Sequence, residues 1–163
     1  MSAPVLILGW GNLSRGDDAL GPLLLDALHL GLPDRLREQV EFLDEFQLKI
    51  EHAMALLGRR HVLLVNASPS GATPFEVSQP LPAPDQSYTS DPLSPPGLLH
   101  LYQELHATSP PPCTLLAIRA ERVELGEAPS TQALQNLDAA LRWVLTEWLY
   151  QAFPAPDHSS AAP

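Results

Sequence analysis

Three short strand-like runs, at residues 5–8, 40–43 and 61–65, are separated by segments long enough to form helices. That alternation limits the fold more than any other feature of the chain. Residues 5–8 and 61–65 are continuously apolar, as a strand buried on both faces is. The spacing after the first run predicts an amphipathic helix over 18–30. Pro22 stands in its first turn, where a missing N–H costs little, and Gly31 stops it. A second helix is expected over 49–57, ended by Gly58. A third is capped by Ser94, with Pro95 at its first position. A fourth strand is expected over 114–118 and a short fifth over 122–125. Ser130 caps the last helix, in which Leu134, Leu137, Leu141, Val144, Leu145, Trp148 and Leu149 fall at helical spacing. Strand, helix, strand, helix, strand is the grammar of an α/β three-layer sandwich. A twisted, mostly parallel sheet of about five strands is expected, with helices on both faces and right-handed crossovers.

The 163 residues suit one domain, placed at 1–153, with a small, polar and proline-rich tail at 154–163 expected to be disordered. Of 18 prolines, 15 lie from Pro69 onward, so 68–94 reads mainly as a long loop with a short strand at 74–78. Acids outnumber bases 19 to 9, the net charge is -10, and Lys49 is the single lysine. A phosphate backbone or an anionic membrane needs clustered cations, so neither is an expected partner. The single cysteine, Cys113, excludes a disulfide framework and a cysteine zinc knuckle. The N-terminus has no basic region before its short apolar run, and no run reaches the roughly 18 residues of a spanning helix. A cytoplasmic monomer is the expectation.

In sheets of this class ligands bind beyond the carboxyl ends of the strands. Three segments fall there. The first, GWGNLSRGDDALG, has Gly9 and Gly11 in a tight turn and Asp17 and Asp18 where a helix begins. Both acids also read as plain helix caps. Trp10, inside the turn, is a candidate substrate contact, as is Asn12. The second segment, LDEFQLKIEHAM, places Asp44 at the strand end and Gln47 on the approach to the next helix. The third, NASPSG, begins with Asn66, a residue that in a turn usually bonds its own backbone. A dinucleotide reading of the first turn is weakened: the pattern needs a glycine where Ser14 stands, and two aspartates repel a pyrophosphate. His52 and His61 read as surface or capping residues, Cys113 as buried and inert, and Trp143 and Trp148 as core.

The segment LILGWGNLSRGDDALGPLLLDAL resembles the opening of the nickel-iron hydrogenase maturation endopeptidases: a strand, a glycine-asparagine turn and a paired-acid segment leading into a helix. The resemblance continues through FLDEFQLKIEHAMALLGRRHVLLVNAS, YTSDPLSPPGLLHLYQELH, PPPCTLLAIRAERVELGE and the terminal helix, from about Val5 to Leu149. It implies an endopeptidase that clips a C-terminal extension from a hydrogenase large-subunit precursor after nickel insertion. The nickel is carried by the precursor rather than held by the enzyme, and no tightly bound cofactor is implied. The family's helix-start acid falls on Asp18 and its strand-two acid on Asp44, the two candidate catalytic residues. Its metal-contacting positions fall on Asp18, Asn66 and Asp91. At the last two the family has an acid and a histidine, so ligand type changes while the formal charge of the trio does not.

Two other readings stay open. A relative altered at Asn66 and Asp91 would bind the precursor as a checkpoint or chaperone without cutting it. A nucleotide-binding α/β domain would use the glycine turn for phosphates.

Overall fold

The computed structural model describes residues 2–85 and 93–154. Five strands form one sheet: β1 (Val5–Trp10), β2 (Val40–Glu45), β3 (His61–Ser68), β4 (Phe75–Ser78) and β5 (Cys113–Arg119). Their order is β2-β1-β3-β5-β4, parallel throughout except for β4, which runs antiparallel to β5 at the edge. The helices are α1 (Leu20–Gly31), α2 (His52–Ala55), α3 (Pro95–His106), α4 (Thr131–Trp143) and α5 (Leu149–Ala152).

The sheet divides the core in two. On one face α1 and α4 cover Val5, Ile7, Leu63, Val65, Leu116 and Ile118. On the other, α2 and α3 cover Leu6, Leu8, Val62 and Leu64. β1 and β3 are thus buried from both sides, which is why their sequences are continuously apolar. α1 approaches the sheet so closely that a Cβ on Gly21 would lie 2.6 Å from Trp10 O and 2.9 Å from Val65 O. Only glycine admits that approach, and it brings the start of α1 against the ends of β1 and β3.

The structure departs from the sequence expectation in four places. The strand expected at 122–125 does not form, and the fifth strand is β4. Residues 121–130 are bound instead to the turn before α1: Asp17 N–H donates to Arg122 O at 2.8 Å, Gly16 N–H to Glu127 O at 2.9 Å and Gly126 N–H to Ser14 O at 2.7 Å. These bonds hold the segment against the turn before α1 and away from the sheet. The helix expected over 49–57 shortens to one α-turn, with looser turns on either side. Leu134 is 45% exposed, because α4 buries Ala133, Asn136 and Ala140 instead. In the last stretch Leu149 N–H reaches back five residues to Val144 O, so the helix widens by a turn before α5. The tail expected from 154 falls outside the described residues after Pro154. Among the described residues no helix is long and apolar enough to cross a membrane.

Candidate functional site

The carboxyl ends of β1, β2 and β3 are adjacent: Gly9 lies beside Asp44 on one side and Val65 on the other. Asp44 and Asn66 therefore flank the end of β1. Strand alternation sends Asp44, with Val40 and Phe42, to the α1 face, and Asn66, with Val62 and Leu64, to the α2–α3 face. Asp18 reaches the same edge from the turn Gly16–Ala19, which packs against β3. Asp91 lies outside the described residues.

Gly11 makes the turn that allows this. Its φ is +152°, and a Cβ there would stand 1.9 Å from Asp18 O. Gly11 N–H donates to Glu45 O at 3.1 Å, tying the turn to β2. Asn12 N–H donates to Asp18 Oδ2 at 2.8 Å, which orients that carboxylate. The Asn12 side chain is engaged locally, its Oδ1 accepting from Ser14 N–H at 2.9 Å. These backbone groups are the ones a bound pyrophosphate would need. They are already satisfied, and a carboxylate stands among them, so the structure does not favour the nucleotide reading.

A cavity of about 300 Å³ opens here, lined by Trp10, Gly11, Asn12, Arg15, Asp18, Phe46 and Gln47. It brings together Trp10, Asn12, Asp18 and Gln47 from the sequence reading. Phe46, 61% exposed, adds an apolar wall that the sequence reading passed over. Asp44 sits apart, on the α1 face. Partial burial raises its carboxyl above the ordinary value, and repulsion from Asp26 and Glu45 adds to the rise. Such a group is better matched to proton transfer near neutral pH than a free aspartate.

The paired aspartates divide their work. Asp17 is fully buried. Its carboxylate accepts from Glu121 N–H (2.6 Å), Arg122 N–H (2.9 Å), Ser130 N–H (2.5 Å) and Ser130 Oγ (2.8 Å). Burial alone would raise this carboxyl, but the four donors outweigh it and hold the group below its ordinary value. Asp17 is thus the knot that joins the turn before α1 to the cap of α4. Asp18, beside it, is left facing the cavity.

Two buried polar atoms lack a hydrogen-bond partner among the described residues: Asn66 Oδ1 and His52 Nε2. His52 is buried, not a surface residue. Its Nδ1 accepts from Lys49 N–H at 2.8 Å, so the neutral ring carries its proton on Nε2, 3.4 Å from Glu45 Oε1. The sequence signal was the helical spacing that puts His52 on the same side as Leu48 and Leu56. Among the described residues no three His, Cys, Asp or Glu side chains gather as a metal site.

No family model and no curated protein sequence matches the chain. Solved structures do. The NiFe hydrogenase maturation protease HycI from Thermococcus kodakarensis matches with a TM-score of 0.66 at 19% identity, over 88% of this chain and 90% of that one. The hydrogenase maturating endopeptidase HybD from E. coli matches with a TM-score of 0.66 at 22% identity, over 93% and 94%. An endopeptidase from Escherichia coli, solved in solution, matches with a TM-score of 0.67 at 24% identity, over 94% of each chain. At these identities the likeness establishes the α/β fold.

Proposed function

We propose that this chain is a C-terminal processing endopeptidase that matures the large subunit of a nickel-iron hydrogenase after nickel insertion. The observation that carries the reading is the match over about nine tenths of both chains to solved hydrogenase maturation endopeptidases. It acts as a cytoplasmic monomer built on the one domain at 1–153, and its partner is the large-subunit precursor.

The nickel belongs to the substrate. Asp18 and Asn66 offer it oxygen donors at one sheet edge, with Asp91 as the third contact. Asn66 Oδ1 is an acceptor without a partner among the described residues, and it makes such a contact once the docked precursor uncovers it. Amide and carboxylate oxygens are weaker partners for nickel than imidazole, which suits inspection of an ion already held by the precursor rather than its capture. Trp10, Asn12 and Gln47 contact the precursor chain around the cavity. Hydrolysis needs a water made nucleophilic and a proton returned to the leaving amine. Asp18, oriented by Asn12 N–H, takes the first role, and Asp44, whose proton affinity is raised, takes the second.

Purified chain mixed with nickel-loaded precursor tests this, with loss of the C-terminal extension read by mass spectrometry. Clipping is expected with the loaded precursor and not with the metal-free one. Asp18→Asn and Asp44→Asn should each lower the rate by about a hundredfold or more. The neutral Asn66 favours one other reading, a checkpoint that binds without cutting. Stable binding of loaded precursor with no clipping would establish that reading instead, and neither binding nor clipping would remove both.

A further inference from the structure

β2 is an edge strand, and among the described residues it pairs with β1 alone. Glu45 O accepts from Gly11 N–H on the β1 side. Peptide groups alternate along a strand, so Val40, Phe42 and Asp44 turn their N–H and C=O groups to the outer edge. Their side chains lie on the α1 face, where Asp44 stands near enough to Asp26 of α1 for the two to repel. Glu45, next along the strand, repels Asp44 as well. Among the described residues neither Asp26 nor Asp44 has an ion-pair partner; Arg59 pairs with Glu41 at 2.7 Å and Arg37 with Asp34 at 2.9 Å.

The edge also leads somewhere. Residues after Glu45 run directly into Phe46 and Gln47, which line the cavity that holds Asp18. From Phe42 to Phe46 is four residues, about 13 Å of extended chain. The other edge, β4, lies beyond β3 and β5, roughly 14 Å from β1 at ordinary strand spacing.

We propose that the outer edge of β2 is the docking strand for the polypeptide substrate. An extended segment carrying arginine or lysine adds as a sixth strand beside Val40–Glu45, meets Asp26 with its cationic side chain, leaves the Asp44 carboxyl free for the leaving amine, and delivers the following residues to the Asp18 cavity. This deepens the endopeptidase reading and rests on it. A peptide bond is presented for cleavage most readily from an extended chain, and an open edge supplies the main-chain hydrogen bonds that hold it so. The acids select the occupant. A second copy of this chain would bring the same carboxylates against themselves, whereas a basic peptide neutralises them.

The test uses the whole chain, labelled with nitrogen-15, and three capped hexapeptides of alternating threonine and valine. The first carries one central arginine, the second a glutamate in its place, and the third is the arginine peptide with alternate backbone amides methylated. The arginine peptide should bind at least tenfold more tightly than the glutamate peptide. Its largest amide shifts should fall on Phe42 and Asp44, and methylation should abolish binding. Asp26→Asn should weaken the arginine peptide about three- to tenfold and raise KM for nickel-loaded precursor by a similar factor. Equal binding of the arginine and glutamate peptides, indifference to methylation, or shifts centred on β4 would each overturn the proposal. No precursor cutting is needed for the peptide readout. A chain that clips precursor but ignores the peptides refutes the docking strand alone. A chain that binds the peptides at β2 but never clips refutes the endopeptidase reading and leaves the strand site standing.

Discussion

Removing the Asp17 carboxylate should cost this fold more than any other single polar change near the site. Asp17→Ala leaves three backbone N–H groups and the Ser130 hydroxyl without their acceptor. Hydrogen bonds to a charged group contribute about 1.5–3 kcal/mol each, and a buried donor left unmade costs about 1–3 kcal/mol. The simple sum overshoots, since residues 121–128 are exposed and water can satisfy some of the freed donors. A loss of about 3–5 kcal/mol is the expectation, in the range of a broken buried network. With a urea slope of about 2 kcal/mol per molar, the unfolding midpoint should fall by roughly 2 M. Buried Trp148 supplies the fluorescence signal. Asp17→Asn should lose about 2–3 kcal/mol, because its amide nitrogen points a donor at donors.

The same argument fixes a pH dependence. The folded carboxyl of Asp17 lies below its ordinary value of 3.8. Its contribution is therefore complete above that value and is lost as pH falls through the lower, folded one. The stability gap between wild type and Asp17→Asn should be constant from pH 7 to pH 5 and narrow below pH ~4. Other carboxylates titrate alike in both proteins and cancel. A gap under about 1 kcal/mol at pH 7, or one that widens in acid, would refute the reasoning.

Cys113 should be inert in the native state: burial pushes its thiol from 9.0 up to about 12, and its Sγ donates to Pro111 O at 3.3 Å. That shift of three units predicts reaction with a thiol reagent at pH 8 about a thousandfold slower than after unfolding. Gly97→Ala should set a Cβ 2.3 Å from Asp85 Oδ2 and expel the Asp85 carboxylate from Ser94, whose N–H and hydroxyl both donate to it. A net loss of about 1 kcal/mol is expected in thermal melts, and none when Asp85 is already alanine, as a double-mutant cycle will show. Gly11→Ala should lower stability by more than about 2 kcal/mol in urea unfolding, since the Cβ would overlap Asp18 O.

The sheet was legible because β1 and β3 are buried on both faces, and two-sided burial writes itself as an unbroken apolar run. Caps were equally plain. Ser94 and Ser130 each accept from the N–H three residues on, as their position before a helix predicts. Residues 122–125 were misread for a reason that local pattern does not carry. Arg122, where the strand was to begin, gives its N–H to a carboxylate more than a hundred residues earlier and accepts at its C=O from that residue's N–H, so the segment is tied to the turn before α1 rather than to the sheet. Helix α2 shrank for a similar reason. The His52 ring caps the N–H of Lys49, and the turns on either side of His52–Ala55 close by three-residue backbone bonds such as His52 N–H to Lys49 O and Leu57 N–H to Met54 O rather than by the four-residue bonds of an α-helix.

The site was legible as a place before it was legible as chemistry. The rule that ligands gather at carboxyl strand ends is enough to single out Asp18, Asp44 and Asn66, and the fold sets all three along one edge. Which aspartate of the pair faces outward is a different question, because adjacent acids at a helix start have the same local propensities. The answer lies in who else needs an acceptor. The segment 121–130 has no regular structure and must place its amides somewhere. One carboxylate meets that demand and is withdrawn from solvent, and the neighbour about a third of a turn away is thereby turned to the cavity. A buried acid and an acid that lines the cavity thus stand side by side, and the first holds the second in place.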